Sequence, residues 1–200
     1  MIIRCATTNP GKLREFKLIF EHYAAGRFTV ESLADLQNIQ APEETGSTFV
    51  ENAALKAVFY SGFTTEMVFA DDSGLCVDAL GGAPGIYSAR YAGGDATDEN
   101  NNAQVLEDLG DSEDRSARYV CSIAIARDGK LLQTFTDTVD GVLLPEPKGR
   151  NGFGYDPLFF YEPLGMTFGE ASPGAKLLVS HRGKALARLI RWLRQQTTVQ

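Results

Sequence analysis

The feature that most constrains this chain is a short apolar run, Met67-Val68-Phe69-Ala70, that leads straight into two adjacent carboxylates, Asp71 and Asp72. Uninterrupted apolar residues over so short a span read as a buried strand. An acidic pair at the end of such a strand is where open α/β sheets keep their chemistry. Glycines at 74, 81, 82 and 85 follow, so the backbone there can turn tightly and approach a ligand closely. Taken alone, Asp71-Asp72-Ser73-Gly74 reads equally as a turn that merely ends the strand. If the strand instead continues, neighbouring side chains point to opposite faces, and only one of the two acids can face a substrate.

The N-terminus repeats the strand-to-helix theme. Ile2-Ile3-Arg4-Cys5-Ala6-Thr7 reads as a strand, Thr8-Asn9-Pro10-Gly11 as a polar loop, and Leu13, Phe16, Ile19 and Phe20 as the apolar stripe of a helix. A loop entering a helix offers backbone N–H groups and a positive dipole end to an anion. Lys12 and Arg14 lie at that helix start, where the dipole disfavours cations. Neither a Walker loop nor a G-x-G-x-x-G is present. Thr48 with Glu51 forms a capping box for a second helix that runs to Tyr60 and carries Lys56. Glu43 and Glu44 stand just before it. Acids there serve a helix dipole or, alternatively, a metal. Lys56 reads as a solvated lysine or a phosphate contact.

Further along, Thr97-Asp98-Glu99 starts a helix through Val105 and Leu109. Residues 117–126 and 130–142 form a hairpin about Asp128-Gly129. Asp137 and Asp140 are expected on its solvent side. Residues 145–154 are loop, followed by a strand at 158–161. Phe153, between two glycines, either stacks on a planar ligand or folds back on the core. The last helix carries Leu186, Leu189, Ile190 and Leu193 at helical spacing, with Ser180 as its expected N-cap. His181 and Arg182 then load a second helix start with cations against the dipole, and two such starts point to an anionic ligand.

The net charge of −7 argues against a partner that is a nucleic-acid polymer or an anionic membrane. The cysteines, Cys5, Cys76 and Cys121, have no metal-ligand spacing and apolar neighbours, as reduced core thiols do. No apolar run approaches membrane-spanning length, and the expected location is cytoplasmic.

As an ordered set these stretches resemble the inosine/xanthosine triphosphate pyrophosphatases, which act on non-standard purine nucleotides. The matching segments are Thr7-Thr8-Asn9-Pro10-Gly11-Lys12, Glu43-Glu44-Thr45-Gly46 with Phe49-Val50-Glu51-Asn52-Ala53, Ala70-Asp71-Asp72-Ser73-Gly74, residues 81–91, Gly152-Phe153-Gly154-Tyr155-Asp156-Pro157 and Ser180-His181-Arg182-Gly183. The resemblance implies an α/β fold: one two-lobed domain over residues 1–200, with a long curved mixed sheet flanked by helices and a central substrate cleft. It implies a homodimer and a Mg²⁺-dependent cleavage of ITP, dITP or XTP to the monophosphate and pyrophosphate. By position, Asp72 resembles the family's general base, and Glu43 and Asp72 its metal ligands. Thr7, Thr8, Asn9, Pro10, Gly11 and Lys12 resemble its triphosphate segment. Ser73, Phe153, Gly154, Tyr155, Asp156, Lys176, His181 and Arg182 resemble its other substrate contacts. The segment before Lys176, Ala171-Ser172-Pro173-Gly174-Ala175, departs from the charged helical stretch of many members.

Hypoxanthine and xanthine present an O6 acceptor where adenine presents an N6 donor. A pocket offering donors from His181, Arg182 and backbone N–H groups would accept the former and not adenine. The competing enzyme reading is a Maf-like pyrophosphatase acting on modified pyrimidine nucleotides. A non-catalytic nucleotide binder on the same scaffold is disfavoured by the retained Glu43, Asp72 and Lys12.

Overall fold

The computed structural model describes residues 1–94 and 96–197. Their strands are β1 (Ile2–Cys5), β2 (Thr29–Ser32), β3 (Val68–Val77), β4 (Ser116–Arg127), β5 (Lys130–Leu143), β6 (Phe159–Tyr161) and β7 (Met166–Thr167). They form one sheet in the order β2-β1-β3-β4-β5-β6-β7. β1 runs parallel to β2 and β3, whereas β6 is antiparallel to β5 and β7. The sheet is thus mixed, and with helices α1 (Pro10–Ala24), α2 (Phe49–Ser61), α3 (Asp98–Leu109), α4 (Pro173–Val179) and α5 (His181–Gln196) it makes an α/β fold. The parallel β1–β2 pair needs a crossover, and α1 supplies it.

The chain divides into two compact units. The first comprises Met1–Asp72, Cys121–Asp137 and Arg182–Gln200, and the second Ser73–Val120 and Thr138–His181. In the first unit, α1 buries Phe16, Ile19, Phe20 and Ala24, the stripe its spacing predicts. Phe16 meets the Phe69 ring edge-on at 5.1 Å and Phe20 stacks on it at 5.9 Å. Burying one such ring contributes about 1.5–3 kcal/mol. Phe69→Ala would cost about 3–5 kcal/mol, because it also leaves a cavity. The capping box at the start of α2 is formed as expected, with the Thr48 hydroxyl accepting from Glu51 N–H and the Glu51 carboxylate accepting from Thr48 N–H. In the second unit, Leu75, Val77, Val105, Leu109, Leu158 and Leu143 surround the aromatic group Tyr119, Phe159 and Phe168.

Three sequence expectations change. The strand does not stop at the acid pair: β3 runs ten residues, straight through Asp71, Asp72, Ser73 and Gly74. Buried charge is tolerated in a strand when it is paired, and both acids have cationic partners. Gly74 keeps the strand going on its other side. A Cβ there would lie 2.3 Å from Ser88 Oγ and 2.4 Å from the Gly85 carbonyl, so only glycine lets the 85–90 turn pack this closely. That turn is scaffold: Ser88 Oγ accepts from Leu75 N–H and donates to the Gly85 carbonyl. Second, residues 173–179 form a helix, α4, capped by Ser172 with Pro173 at its first position. Third, Asp137 is not a solvent-side acid. Its side chain is largely buried and pairs with Arg188 at 2.5 Å, whereas Asp140 is exposed as expected.

Candidate functional site

Two clusters of polar side chains gather the residues singled out above, one in each unit. The first lies around the acid pair of β3. Asp71 is buried, and its Oδ2 is ion-paired with Lys12 Nζ at 3.0 Å and Arg182 Nε at 3.5 Å. Arg182 is itself buried and also pairs with Glu15. Burial alone would push the Asp71 carboxyl up, but Lys12, Arg182 and Lys56 outweigh it and hold the group at about 2. The anion demanded by the two cation-loaded helix starts is therefore, in the first place, a carboxylate of the protein. Lys12 from α1 and Arg182 from α5 both converge on Asp71.

Asp72 is different. Lys56 Nζ donates to its Oδ1 at 2.9 Å and to Glu44 Oε1 at 2.8 Å. Asp72 Oδ2 is buried and has no hydrogen-bond partner among the described residues. Burial pushes the Asp72 carboxyl above its usual range, with the Lys56 ammonium pulling against it. Burial would lower Lys56, yet Asp72, Asp71 and Glu44 raise it and keep it a cation. Glu43 is exposed on the segment before α2, while its neighbour Glu44 is half-buried on Lys56. A buried carboxylate oxygen without a donor invites a cation. Among the described residues no three His, Cys, Asp or Glu side chains converge as a cage. Mg²⁺ does not need one, since one or two carboxylates serve when phosphate and water complete the shell. Asp72 and Glu44, which share the Lys56 ammonium, fit that requirement, and Glu43 is the chain neighbour of Glu44.

The first-turn N–H groups of α1 depart from the expectation that they are available to an anion. Pro10 has none, Asn9 Oδ1 accepts from Gly11 and Lys12 N–H at 2.8 and 3.1 Å, and Leu13 N–H reaches the Asn9 carbonyl. Asn9 is the N-cap, and its amide has taken the place of an anion there. Thr7 Oγ1 accepts from Asn9 N–H, which stiffens the loop, and Thr8 is exposed.

The second cluster is built on Asp156, Lys176 and two aromatic rings. Lys176 comes from α4, is buried, and donates to Asp156 Oδ2 at 2.5 Å. The same oxygen accepts from Phe153 N–H at 2.9 Å, and Asp156 Oδ1 accepts from Tyr119 O–H at 3.3 Å. Lys176 Nζ lies 5.0 Å from the Phe153 ring centre, a cation–π distance. His181 stacks on Tyr119, centroids 4.5 Å apart and planes 7° from parallel. Gly152, at φ 76°, is forced by this arrangement, because a Cβ there would fall 1.9 Å from Asp156 Oδ2. Tyr155 is buried, donates to the Ser88 carbonyl at 2.8 Å, and is pushed up by burial. Ser73 is half-buried on β3.

The sequence reasoning missed Glu15, Glu44 as a partner of Lys56, and Tyr119. Period-two alternation on β4 puts Ala117, Tyr119 and Cys121 on one buried face, a signal that marks Tyr119 as inward but not as the platform for His181. Glu15 sits three residues after Lys12 on α1, the spacing of helical neighbours.

The chain matches the Ham1 family over residues 3–192. It is 47% identical over 186 residues to the dITP/XTP pyrophosphatase of Bacillus licheniformis, covering 92% of this chain and 93% of that one. It is 48% identical over 186 residues to the dITP/XTP pyrophosphatase of Geobacter sulfurreducens, covering 92% of each. Its backbone is similar to that of the Staphylococcus aureus Ham1 protein, with a TM-score of 0.85 at 40% identity over 98% of this chain and 100% of that one. The HAM1 protein of Coxiella burnetii is as similar, with a TM-score of 0.85 at 38% identity, covering 98% and 99%.

Proposed function

The chain belongs to the Ham1 family, and on that premise we propose that it hydrolyses non-standard purine nucleoside triphosphates, ITP, dITP and XTP, to the monophosphate and pyrophosphate. The observation that carries the reading is the asymmetry of the acid pair. Asp71 is ion-paired with the two cations Lys12 and Arg182, while Asp72 keeps a buried oxygen without a hydrogen-bond donor beside Lys56.

Asp72 is the general base. Its Oδ2 takes the proton of the water that attacks the α-phosphorus, and burial, by raising its pKa, makes it a stronger base near neutral pH. The α–β bridging P–O bond breaks and pyrophosphate leaves. Lys56 and Lys12 stabilise its charge: each ammonium has three hydrogens, and neighbouring carboxylates leave donor capacity for phosphate. Asp72 and a carboxylate of the Glu43-Glu44 pair would hold Mg²⁺, which would neutralise phosphate charge and lower the pKa of coordinated water. Thr7, Thr8, Asn9, Pro10 and Gly11 give the triphosphate segment its shape through the Asn9 cap. Arg182 works through Asp71, which it holds ionised and in place. In the second unit Phe153 stacks on the base, and Lys176 and His181 face it with donors, with Gly154, Tyr155 and Asp156 shaping the loop of Phe153 and Ser73 a further substrate contact. An O6 acceptor satisfies such donors and an N6 amino group does not. A homodimer, which rests on the family resemblance, and a cytoplasmic location are part of the same proposal.

The test is a panel of ITP, dITP, XTP, GTP and ATP with and without Mg²⁺, scoring pyrophosphate against orthophosphate. Pyrophosphate from ITP and XTP, dependent on Mg²⁺, is expected. Orthophosphate alone would overturn α–β cleavage, and equal turnover of ATP and ITP would overturn the donor-based selectivity.

A further inference from the structure

The Phe153–Gly154 peptide is held from a direction the reaction does not itself explain. Gly154 N–H donates to Asp98 Oδ2 at 2.7 Å, and the Gly154 carbonyl accepts from Asn102 Nδ2 at 2.9 Å. Asp98 and Asn102 are one turn apart at the start of α3, so both face the same side of that helix. Asn102 Nδ2 places its other hydrogen on the Asp98 carbonyl at 2.6 Å. Its orientation follows from chemistry: turned over, the amide would set its oxygen against two carbonyls. Helix α3 is anchored in turn, since Val105 and Leu109 lie in the core of the second unit and Thr97 caps its N-terminus. On the other flank, Phe153 N–H is taken by Asp156. Three hydrogen bonds therefore fix two consecutive residues of a glycine-flanked loop. The loop has room to move without them: Asp98, Asn102, Arg150, Phe153 and Gly154 line a hollow of about 560 Å³.

We propose that Asp98 and Asn102 are positioning residues that clamp Gly154 and thereby hold the Phe153 ring where it stacks on the purine base. The proposal rests on the reading that the second unit receives that base. A ring between glycines loses its freedom on binding unless it is already held, and pre-organisation removes that cost. The clamp acts on binding of the base and leaves the α–β cleavage chemistry untouched.

The experiment is calorimetric titration of IMP into the full-length protein, with a thermal melt for every variant. Asn102→Asp keeps the shape but loses the donor and sets an oxygen against the Gly154 carbonyl, and should weaken IMP binding by about tenfold or more, at least the effect of one positioned hydrogen bond. Asp98→Asn keeps an acceptor for Gly154 N–H and should stay within about twofold of the starting protein, whereas Asp98→Ala should match Asn102→Asp. In a Phe153→Ala background Asn102→Asp should add nothing further, because the ring it positions is gone. In turnover the clamp variants should raise KM for ITP more than they lower kcat. Unchanged IMP binding by Asn102→Asp, or the same loss with and without Phe153, would overturn the clamp while base recognition stands. If Asn102→Asp fails to fold, the Asp98→Asn and Asp98→Ala pair decides the question by the same criterion. No binding of IMP by the unmutated protein would overturn the base-site reading, and the clamp with it.

Discussion

The acid cluster of the first unit and the lysine–aromatic cluster of the second use the same ingredients to opposite ends. Each sets buried carboxylate against buried cation. In the second unit the pairing closes on itself: both oxygens of Asp156 are taken, by Lys176, Phe153 N–H and Tyr119 O–H. In the first unit one acid, Asp71, is ion-paired through Oδ2 with both Lys12 and Arg182, and its neighbour Asp72 is left with a buried oxygen that has no hydrogen-bond partner among the described residues. A closed network holds shape, as recognition of a rigid base requires. An open acceptor costs stability and is retained where a metal or a proton is to be received.

The largest expected effect tests the open end. Asp72→Asn should lower pyrophosphate release by about 10²–10⁴-fold, as for loss of a general base, with little change in a urea melt. Full activity would remove Asp72 from that role. Asp71→Asn inverts the pattern. It leaves Lys12 and Arg182 around a neutral amide, and should cost about 3–5 kcal/mol of stability by urea unfolding, the penalty for breaking a buried pair. If Asp71→Asn proved as stable as the parent and Asp72→Asn did not, the comparison would be reversed.

In the second unit, Lys176→Met should destabilise by a similar amount, about 3–5 kcal/mol, by leaving Asp156 buried without its cation. Adding Asp156→Leu should recover part of that loss, since an apolar pair replaces a broken ionic one. Selectivity for ITP over ATP should not recover with it, because the Lys176 donor is gone and Phe153 N–H has lost its acceptor. Recovery of both would remove Lys176 and Asp156 alike from base recognition.

The smallest effect compares the thiols of the two units. Burial pushes Cys5 up to about 12 and also raises Cys76, which is less deeply buried. A disulfide reagent at pH 8 should label Cys76 of the native protein first and Cys5 only on unfolding. A thiol whose folded pKa lies above its unfolded value favours the folded state below the unfolded pKa. The Cys5 contribution is therefore present up to about pH 9 and is lost as pH rises toward 12. A midpoint of urea unfolding that rises between pH 9 and 11 would contradict it.

Much of the architecture was legible in the chain. The α1 stripe, the Thr48–Glu51 box, the β4–β5 hairpin and the α5 heptad-like face are local patterns, and local patterns survive folding when they agree with the tertiary structure. The errors came where distant residues decide. An acid pair before glycine looks like a strand end until Lys12, Lys56 and Arg182 neutralise it. Then β3 continues, and the alternation of side chains separates the two acids by itself. Cations at two helix starts looked like a call for a ligand, and Asp71 answered it from within the protein.

The sequence by itself determined the α/β class, the elements that carry the site, and, through an ordered set of short motifs, the family. Those properties depend on periodicity, capping and turn chemistry, which act over a few residues. Only the tertiary structure decided which carboxylate is spent and which is kept open, that Asn9 caps α1 in place of an anion, and that Asp98 and Asn102 hold the loop of Phe153. Each of those outcomes is a competition among groups far apart in the chain for the same donors and acceptors. Burial makes the result matter, because a polar group withdrawn from water must find its partner inside the protein.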